Sequence, residues 1–316
     1  MKVRFDLSTN RSSRNGIDLV SNGTSRFVNI SMVTYNRIGF TKEAIHSIAE
    51  NTSYPYVLTV VDNGSTDGTR EYLIETRKEG IIKNLVLLGN NAGVAKASNL
   101  AWHLEPLSAY YVKFDNDIVI RKKGWLSDMV SVIEAVPGLG AVAYNFEPIS
   151  YPLSTASGMK IRIKRGTLGG ACILIPNRTR EILGYWSEEY GLYGEEDLDY
   201  GFRILHAKLL NAYMEDEDIG EHLPAGKAAR IETESMAASD GVEERTHGEY
   251  RKWKDARRKK NVSLLGRFNR NKLLYKLKIK PLYAASHFSE RVLGNVRRES
   301  LESGLIEIEK NRLIEW

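Results

Sequence analysis

The stretch Val57-Leu58-Thr59-Val60-Val61-Asp62-Asn63-Gly64-Ser65-Thr66-Asp67-Gly68, residues 57–68, decides the fold of this chain. Its first five residues are mostly apolar and β-branched without alternation, which is typical of a strand buried on both faces. The run then changes abruptly to Asp, Asn, Gly and Ser, the residues that form turns and cap helices. A helical pattern follows over Thr69–Lys78. The stretch therefore predicts a strand, a tight turn and a helix.

The same strand–helix alternation continues on both sides of this stretch. Further strands are predicted at Phe27–Val33, Asn84–Leu88 and Ala109–Phe114, with helices at Thr41–Asn51 and Val94–Leu104. Alternation on this spacing indicates a parallel sheet whose right-handed crossovers place helices on its faces. We therefore expect an α/β fold with a mostly parallel sheet flanked by helices.

The second half of the chain is less regular, and beyond His222 the strand signal fades. The one cysteine, Cys172, lies in an apolar run and is more often a core residue than a nucleophile in such a setting. The elements predicted here are strands at Gly140–Asn145 and Cys172–Ile175 and helices at Trp125–Ala135, Thr179–Leu183 and Leu198–Ala207.

The net charge of +5 is distributed unevenly along the chain. Between Arg251 and Lys280 thirteen Lys or Arg face one acid, Asp255, which leaves a charge of −7 on the remainder. Such a basic, helix-prone tail predicts either contact with an anionic membrane surface or a helical subdomain packed on the body or on another subunit. Nucleic-acid binding is disfavoured because no recognised module accompanies the charge.

The sequence shows neither a membrane-spanning stretch nor a secretory signal. About 18 consecutive apolar residues are needed to cross a bilayer, and no run approaches that length. A single cysteine fits a reducing compartment. We therefore expect a cytoplasmic protein, peripheral at the inner face of the membrane if the tail binds anionic lipid.

Polar clusters follow four of the predicted strands at the points where those strands end. They are Thr34–Arg37, Asp62–Asp67, Asn90–Gly93 and Asp115–Asp117. Ligands of open α/β sheets collect at the carboxyl ends of the strands, so these clusters predict one binding cleft. Carboxylates two residues apart suit a hard cation such as Mg²⁺ or Mn²⁺, although a solvated turn would have the same composition.

The order of short motifs along the chain resembles glycosyltransferase family 2. The resemblance covers residues 27–222 and implies a GT-A domain, Rossmann-like in its sheet, between an N-terminal extension (1–26) and a basic helical C-terminal region (223–316). It also implies a nucleotide-sugar donor and inversion at the sugar carbon. The motifs are Thr34-Tyr35-Asn36-Arg37, Val61-Asp62-Asn63-Gly64-Ser65-Thr66-Asp67-Gly68-Thr69, Asn90-Asn91-Ala92-Gly93, Asp115-Asn116-Asp117, Gly169-Gly170-Ala171-Cys172 and Gly194-Glu195-Glu196-Asp197-Leu198-Asp199.

On the donor side, the resemblance implies that Asp62 hydrogen-bonds the nucleobase, commonly uracil, although a buried Asp at a strand end can instead cap its turn. Lys96 either helps to neutralise phosphate or is a surface helix residue. Asp117 is the expected direct ligand of Mn²⁺ or Mg²⁺, with Asp115 and His222 as further metal candidates, while a lone His is often structural. The remaining nucleotide-binding candidates are Thr34, Tyr35, Asn36, Arg37, Asn63, Asn91, Gly93, Asp115 and Asn116.

On the acceptor side, the resemblance implies that Asp197 is the base that takes the acceptor's proton, with Glu196 second. Acids at this place also suit the first turn of a helix, where the helix dipole favours negative charge. Gly169 and Gly170 are expected to form part of the sugar and acceptor floor. Trp186 either stacks on a sugar ring or belongs to the core.

These residues together predict an inverting, metal-dependent glycosyltransferase that prefers a UDP-sugar and a glycan or lipid-linked acceptor. A catalytically inactive sugar-nucleotide or glycan-binding domain is one alternative, and fold alone does not separate it from an enzyme. A sugar-phosphate nucleotidyltransferase is disfavoured because Thr34–Gly39 replaces the Gly-rich basic loop expected after the first strand. A dinucleotide-dependent dehydrogenase is disfavoured because no G-x-G-x-x-G follows that strand.

Overall fold

A computed structural model describes residues 25–146, 151–192, 194–223 and 285–309, together with residues 256, 259 and 260. The predictions for residues 1–24 and for nearly all of the basic tail lie outside the described residues. The described strands are β1 (Ser25–Thr34), β2 (Tyr56–Asp62), β3 (Asn84–Leu87), β4 (Ser108–Asp115), β5 (Ile118–Ile120), β6 (Leu139–Tyr144), β7 (Leu153–Ala156), β8 (Met159–Lys164), β9 (Cys172–Pro176), β10 (Leu210–Met214), β11 (Gly220–His222) and β12 (Leu305–Glu307).

Eight α-helices and one short 3₁₀ helix (Glu188–Tyr190) are described between and after these strands. Five of the six α-helices up to residue 222 match the predicted positions within two residues, and the sixth, Ile38–Asn51, begins three residues before its predicted start. The α-helices are α1 (Ile38–Asn51), α2 (Thr69–Lys78), α3 (Val94–Leu104), α4 (Trp125–Ala135), α5 (Asn177–Leu183), α6 (Glu196–His206), α7 (His287–Gly294) and α8 (Arg298–Ser303).

Ten of the strands form one sheet in the order β12-β3-β2-β1-β4-β9-β6-β10-β8-β7. Five adjacent strands, β12, β3, β2, β1 and β4, run parallel to one another. The next strand, β9, runs antiparallel to both β4 and β6. The strand register pairs Thr34 with Asp62 and Val33 with Asp115. The predicted α/β fold with a mostly parallel sheet is confirmed, and the ends of β1, β2 and β4 meet at one edge.

The two faces of the sheet bury different side chains of the same strands, because successive residues of a strand point to opposite faces. On one face, Leu58 and Val60 of β2 belong to the core that also contains residues of α1, α2 and α4. On the other face, Val61 packs with residues of α3 and α7. Cys172 is fully buried in β9, as its apolar surroundings predict.

The strands that the sequence did not predict are short or carry many polar residues. The β5 and β11 strands form a separate antiparallel pair that places His222 opposite Ile118. Because Ile118 directly follows Asp117, this pairing brings a residue from the end of the domain beside the polar cluster that follows β4. The β7 and β8 strands form a hairpin at one end of the large sheet.

Residues 285–309 return to the body of the protein. Phe288 and Val292 of α7 are buried with residues of α3, and β12 pairs in parallel with β3. The predicted boundary between a domain at 27–222 and a region at 223–316 stays a prediction, but this segment packs against the sheet. Within the described part of the chain, no helix is both long enough and apolar enough to cross a membrane.

Candidate active site

The carboxylate of Asp62 forms the centre of the turn that follows β2. Asp62 is fully buried, and it accepts hydrogen bonds from Thr34 Oγ1 at 3.1 Å and from the backbone N–H groups of Gly64 (3.1 Å) and Ser65 (3.0 Å). The Ser65 hydroxyl also donates to it. Burial raises the pKa of Asp62, against the opposing effect of Ser65 and of the Arg70 guanidinium 3.5 Å away. The structure thus shows the turn-forming role, and the base contact stays a prediction.

The loop after β1 is tied to the same turn. The Asn36 N–H donates to Ser65 Oγ at 2.7 Å, and the Asn36 side chain accepts from the Thr66 N–H at 2.9 Å. Both Asn36 and Arg37 have positive φ angles, 54° and 64°, which is uncommon for residues other than glycine. This backbone turns the chain directly from β1 into α1, with Tyr35 half-buried between the two elements.

The loop after β3 is held against the turn by Asn63, and Asn91 closes the loop itself. The Asn63 side chain accepts from the Ala92 N–H at 3.2 Å, and Asn91 accepts from the Gly93 N–H at 2.9 Å. Gly93 has a φ of 94°, and a Cβ there would lie 2.4 Å from the carbonyl oxygen of Gly191. Only glycine allows these two backbones to approach so closely. The structure thus brings the predicted nucleotide-side loops after β1, β2 and β3 together.

Asp117 lies between the Arg37 guanidinium and the His222 imidazole. Its Oδ2 is 3.0 Å from the Arg37 guanidinium and its Oδ1 is 3.3 Å from His222 Nε2. Burial opposes ionisation of Asp117, but its contacts with His222 and Arg37 outweigh burial and lower its pKa. The hydrogen bond to Asp117 raises the pKa of His222 against the effect of burial. The structure thus joins three of the predicted site residues, which come from loops far apart in the sequence.

The donor atoms around Asp117 fit a divalent cation. Two ligands of one octahedral Mg²⁺ or Mn²⁺ ion lie about 3 Å apart, because each is about 2.1 Å from the metal at a right angle. His222 Nε2 and Asp117 Oδ1 have nearly that separation, at 3.3 Å. Among the described residues no group of three or more His, Cys, Asp or Glu side chains converges as a metal site. Mg²⁺ sites with only one or two protein ligands are usual where substrate phosphates and water complete the coordination.

Asp115 is paired with a lysine that the sequence analysis did not select. Lys113 Nζ lies 2.6 Å from Asp115 Oδ1 and 3.0 Å from the carbonyl oxygen of Gly170. The Lys113 side chain is 6% exposed, whereas that of Asp115 is 38% exposed. Burial raises the pKa of Asp115, against the effect of Lys113. The neighbouring Asn116 donates to Thr41 Oγ1 at 3.0 Å and fixes this turn on α1.

Glu196 and Asp197 begin α6 and approach the same lysine. Asp197 Oδ2 accepts from the Gly170 N–H at 3.0 Å, and Oδ1 accepts from the Leu198 N–H at 2.8 Å. Glu196 is 7% exposed, and its Oε2 atom is buried without a hydrogen-bond partner among the described residues. Burial and the charge of Asp197 raise the pKa of Glu196 to about 7, against the effect of Lys113.

The two glycines before β9 lie between these acidic groups. Gly169 donates its N–H to the Tyr213 hydroxyl at 2.7 Å. A Cβ on Gly170 would lie 3.0 Å from Asp197 Cβ and 3.1 Å from Lys113 Nζ. The missing side chain at Gly170 therefore allows the lysine and the aspartate to approach from opposite sides.

Two predicted site residues make other contacts in the structure. Trp186 is 1% exposed and packs 5.3 Å from the Trp102 ring and 4.6 Å from the Tyr200 ring. It therefore belongs to the core, which was the alternative to sugar stacking. Lys96 places its ammonium 5.4 Å from the centre of the Phe288 ring in α7. This contact links Lys96 to the C-terminal segment, and its phosphate contact stays a prediction.

Lys113 is the functional candidate that motif reading missed. It lies in an otherwise apolar strand, Tyr110–Phe114, and Lys is almost never fully buried unless it is paired. A lysine two residues before Asp115, on the same face of the strand, was the available signal.

The arrangement of the sheet and its flanking helices is that of the GT-A fold class. The mannosyltransferase PcManGT from Pyrobaculum calidifontis, solved with GDP-Man and Mn²⁺, has a TM-score of 0.51 at 20% identity, over 73% of this chain and 69% of that one. GalNAc-T7, solved with UDP, GalNAc and Mn²⁺, has a TM-score of 0.51 at 12% identity, over 62% of this chain and 43% of that one. At such identities the likeness shows the fold alone, and that fold is GT-A.

The family model described as "Glycosyl transferase family 2" matches residues 30–170. This match covers 141 of the 316 residues and supports a transferase enzyme. The chain is also similar to TuaG of Bacillus subtilis (strain 168), a glycosyltransferase named for teichuronic acid biosynthesis. The two are 34% identical over 91 residues, which are 28% of this chain and 35% of that relative. The match thus spans about a third of the relative.

Proposed function

We propose that this protein transfers one sugar from a nucleoside-diphosphate donor to the hydroxyl of a glycan or lipid-linked acceptor, with inversion at the sugar carbon. One observation carries the proposal. Asp115 at the end of β4 and the acidic pair at the start of α6 meet at Lys113, although their sequence positions are about eighty residues apart. The match of residues 30–170 to the glycosyltransferase family 2 model supports the same reaction.

The donor nucleotide is proposed to occupy the loops after β1, β2 and β3. These loops carry Asn36, Asn63 and Asn91. The side chains of Asn36 and Asn63 accept hydrogen bonds from backbone groups of neighbouring loops, and that of Asn91 accepts from Gly93 within its own loop. The hydrogen bonds between these loops make the rim of the site rigid. A rigid rim favours binding, because the loops lose little conformational freedom when the nucleotide binds. We favour a UDP-sugar; structural relatives were solved with a guanine or a uracil nucleotide.

Asp117 and His222 are the residues proposed to hold a Mn²⁺ or Mg²⁺ ion, with Asp115 beside them. A divalent cation at this place disperses the negative charge that collects on a diphosphate leaving group. Arg37 contributes a permanent positive charge at the same position, because a guanidinium does not lose its proton in proteins. Its 3.0 Å contact with Asp117 supports a role on the proposed donor side of the cleft.

Asp197 is proposed to act as the general base, with Glu196 second. The acceptor oxygen attacks the anomeric carbon, the bond from that carbon to the diphosphate oxygen breaks, and the hydroxyl proton passes to the Asp197 carboxylate. The hydrogen bonds from Gly170 and Leu198 hold this carboxylate in one orientation. A base fixed in this way fits proton abstraction, which requires a carboxylate within hydrogen-bond reach of the acceptor.

A screen of UDP-, GDP- and dTDP-sugars by thermal shift, with and without Mn²⁺, tests donor binding. A ligand that binds the folded state raises the unfolding temperature, and we expect the largest rise for a UDP-sugar with Mn²⁺. Absence of a shift with every donor would contradict the proposal.

Asp197→Asn tests turnover separately from donor binding. We expect nucleoside diphosphate release to fall by at least about 100-fold while the donor-induced thermal shift stays, because the asparagine keeps the shape but cannot take a proton. Glu189→Gln, at an exposed position beyond the cleft, is the matched control. Undiminished release by Asp197→Asn would reject the base assignment, and binding without turnover in the unchanged protein would favour the inactive sugar-nucleotide-binding alternative.

For the acceptor, the name of TuaG directs the proposal to polysaccharide biosynthesis. The basic segment 251–280 would then bring the protein to an anionic membrane face where lipid-linked acceptors lie. Because residues 285–309 pack on the sheet, truncation after Leu223 would remove β12 and α7 as well as the tail. Exchange of several tail Lys and Arg residues for Gln in the full chain, followed by sedimentation with anionic vesicles, tests membrane attachment without that loss.

A further inference from the structure

Lys113 is a buried cation in the interior of the central sheet. Burial of an ammonium group is costly unless the charge is paired and its donors are satisfied. Lys113 Nζ meets this requirement with Asp115 Oδ1 at 2.6 Å and the Gly170 carbonyl oxygen at 3.0 Å. The ammonium group therefore has two fixed acceptors. Asp115 ends β4 on the proposed donor side of the cleft, and Gly170 lies just before β9.

Gly170 transmits this contact to the acceptor side. Its carbonyl accepts from Lys113, and its N–H donates to Asp197 Oδ2 at 3.0 Å. A Cβ at this glycine would lie 3.1 Å from Lys113 Nζ and 3.0 Å from Asp197 Cβ, so the three groups are in close contact. A continuous chain of contacts thus runs from Asp115 through Lys113 and Gly170 to Asp197.

The charges in this cluster are unbalanced without the lysine. Lys113 interacts with three carboxyl groups, those of Asp115, Glu196 and Asp197. Like charges at such short range repel each other, most strongly where burial weakens solvent screening. A neutral residue at 113 would leave these carboxyl groups free to move apart, which would change both sides of the cleft at once.

We propose that Lys113 is a positioning residue that fixes the distance between the metal-side carboxylate Asp115 and the base Asp197. The role rests on the proposed glycosyl transfer. Lys113 acts through its two neighbours and does not itself touch the substrates. Its loss should therefore lower the rate of transfer more than it weakens donor binding, since misplacement of a catalytic group by about 1 Å can cost about 100-fold in rate.

Lys113→Met and Lys113→Gln test the role. Met keeps the length of the side chain without its charge, and Gln keeps one donor group that can reach only one acceptor. We expect kcat to fall by about 100-fold in both variants, while the donor KM and the donor Kd from calorimetry without acceptor change by less than about 3-fold. Lys78→Met is the matched control, because Lys78 is 62% exposed and pairs only on the surface of α2.

The outcomes separate this inference from the proposed function. Folded variants, verified by circular dichroism, that keep the wild-type kcat would overturn the inference alone and leave Lys113 a structural residue. Loss of donor affinity with unchanged kcat would overturn it as well. A wild-type protein with neither turnover nor donor binding would overturn the proposed function and the inference with it. If Lys113→Met does not fold, the Gln variant decides between these outcomes.

Discussion

Replacement of Glu196 by Gln is expected to stabilise the protein above pH 7. Glu196 is 7% exposed, and its Oε2 atom has no hydrogen-bond partner among the described residues. Burial and the neighbouring Asp197 make the ionised form unfavourable, so the pKa rises to about 7. Gln has nearly the same shape and stays neutral at every pH, so it removes the cost of ionising a buried carboxyl group.

The magnitude follows from the pKa values of the folded and unfolded states. A rise from 4.5 to about 7 corresponds to about 3 kcal/mol, at about 1.4 kcal/mol for each tenfold change in proton affinity. Because the folded state holds this proton more tightly, the cost is absent below about pH 4.5, grows as the pH rises through the interval up to about pH 7, and is constant above it. The advantage of Glu196→Gln over the wild type should grow over the same interval.

Urea denaturation of the wild type and of Glu196→Gln at pH 5 and at pH 8 measures the effect. We expect the difference between the two free energies of unfolding to be about 2–3 kcal/mol larger at pH 8, or about 3–5 °C in Tm. Glu189→Gln makes the same chemical change at an exposed position and should show no such dependence. An equal difference at both pH values for Glu196→Gln would refute the reasoning.

Two further predictions concern packing. Gly93→Ala should destabilise the protein by more than about 2 kcal/mol in chemical denaturation, because it combines an unfavourable φ of 94° with a Cβ 2.4 Å from a carbonyl oxygen. Gly80→Ala is the control, since Gly80 also has a positive φ but open space around the added Cβ. Equal losses of stability in the two variants would contradict a steric clash at Gly93. Phe288→Ala should lower the free energy of unfolding by about 3 kcal/mol, because it empties a buried site between α7 and α3. The more exposed Leu301→Ala, measured in the same assay, is the control. A loss below about 1 kcal/mol for Phe288→Ala would show that α7 contributes little to the stability of the body.

Much of the fold was predictable because its signals are local. The β2 strand and the turn after it follow from an apolar, β-branched run that stops at Asp62. The α3 helix, predicted at Val94–Leu104, has those bounds in the structure. The β12 strand could not be predicted, since three residues in a mixed-charge segment become a strand only when the edge of β3 supplies hydrogen bonds.

The candidate site divides in the same way. The sequence indicated which residue types have chemistry, among them Asp117 and Asp197. It left open whether Asp62 contacts a base or caps its own turn, and whether Trp186 stacks on a sugar or belongs to the core, where the structure packs it against Trp102. Both outcomes depend on which neighbours reach the side chain in three dimensions.

By itself the sequence determined the parallel strands of the sheet, the loops at their carboxyl ends and the acidic motifs, because hydrophobic period and turn chemistry are properties of adjacent residues. Only the tertiary structure decided that His222 meets Asp117, through the pairing of β5 with β11, and that Lys113 lies between Asp115 and Asp197. These contacts join segments that are about eighty to one hundred residues apart. Their geometry is set by strand pairing and by the space that Gly170 leaves open, and no local pattern encodes either one.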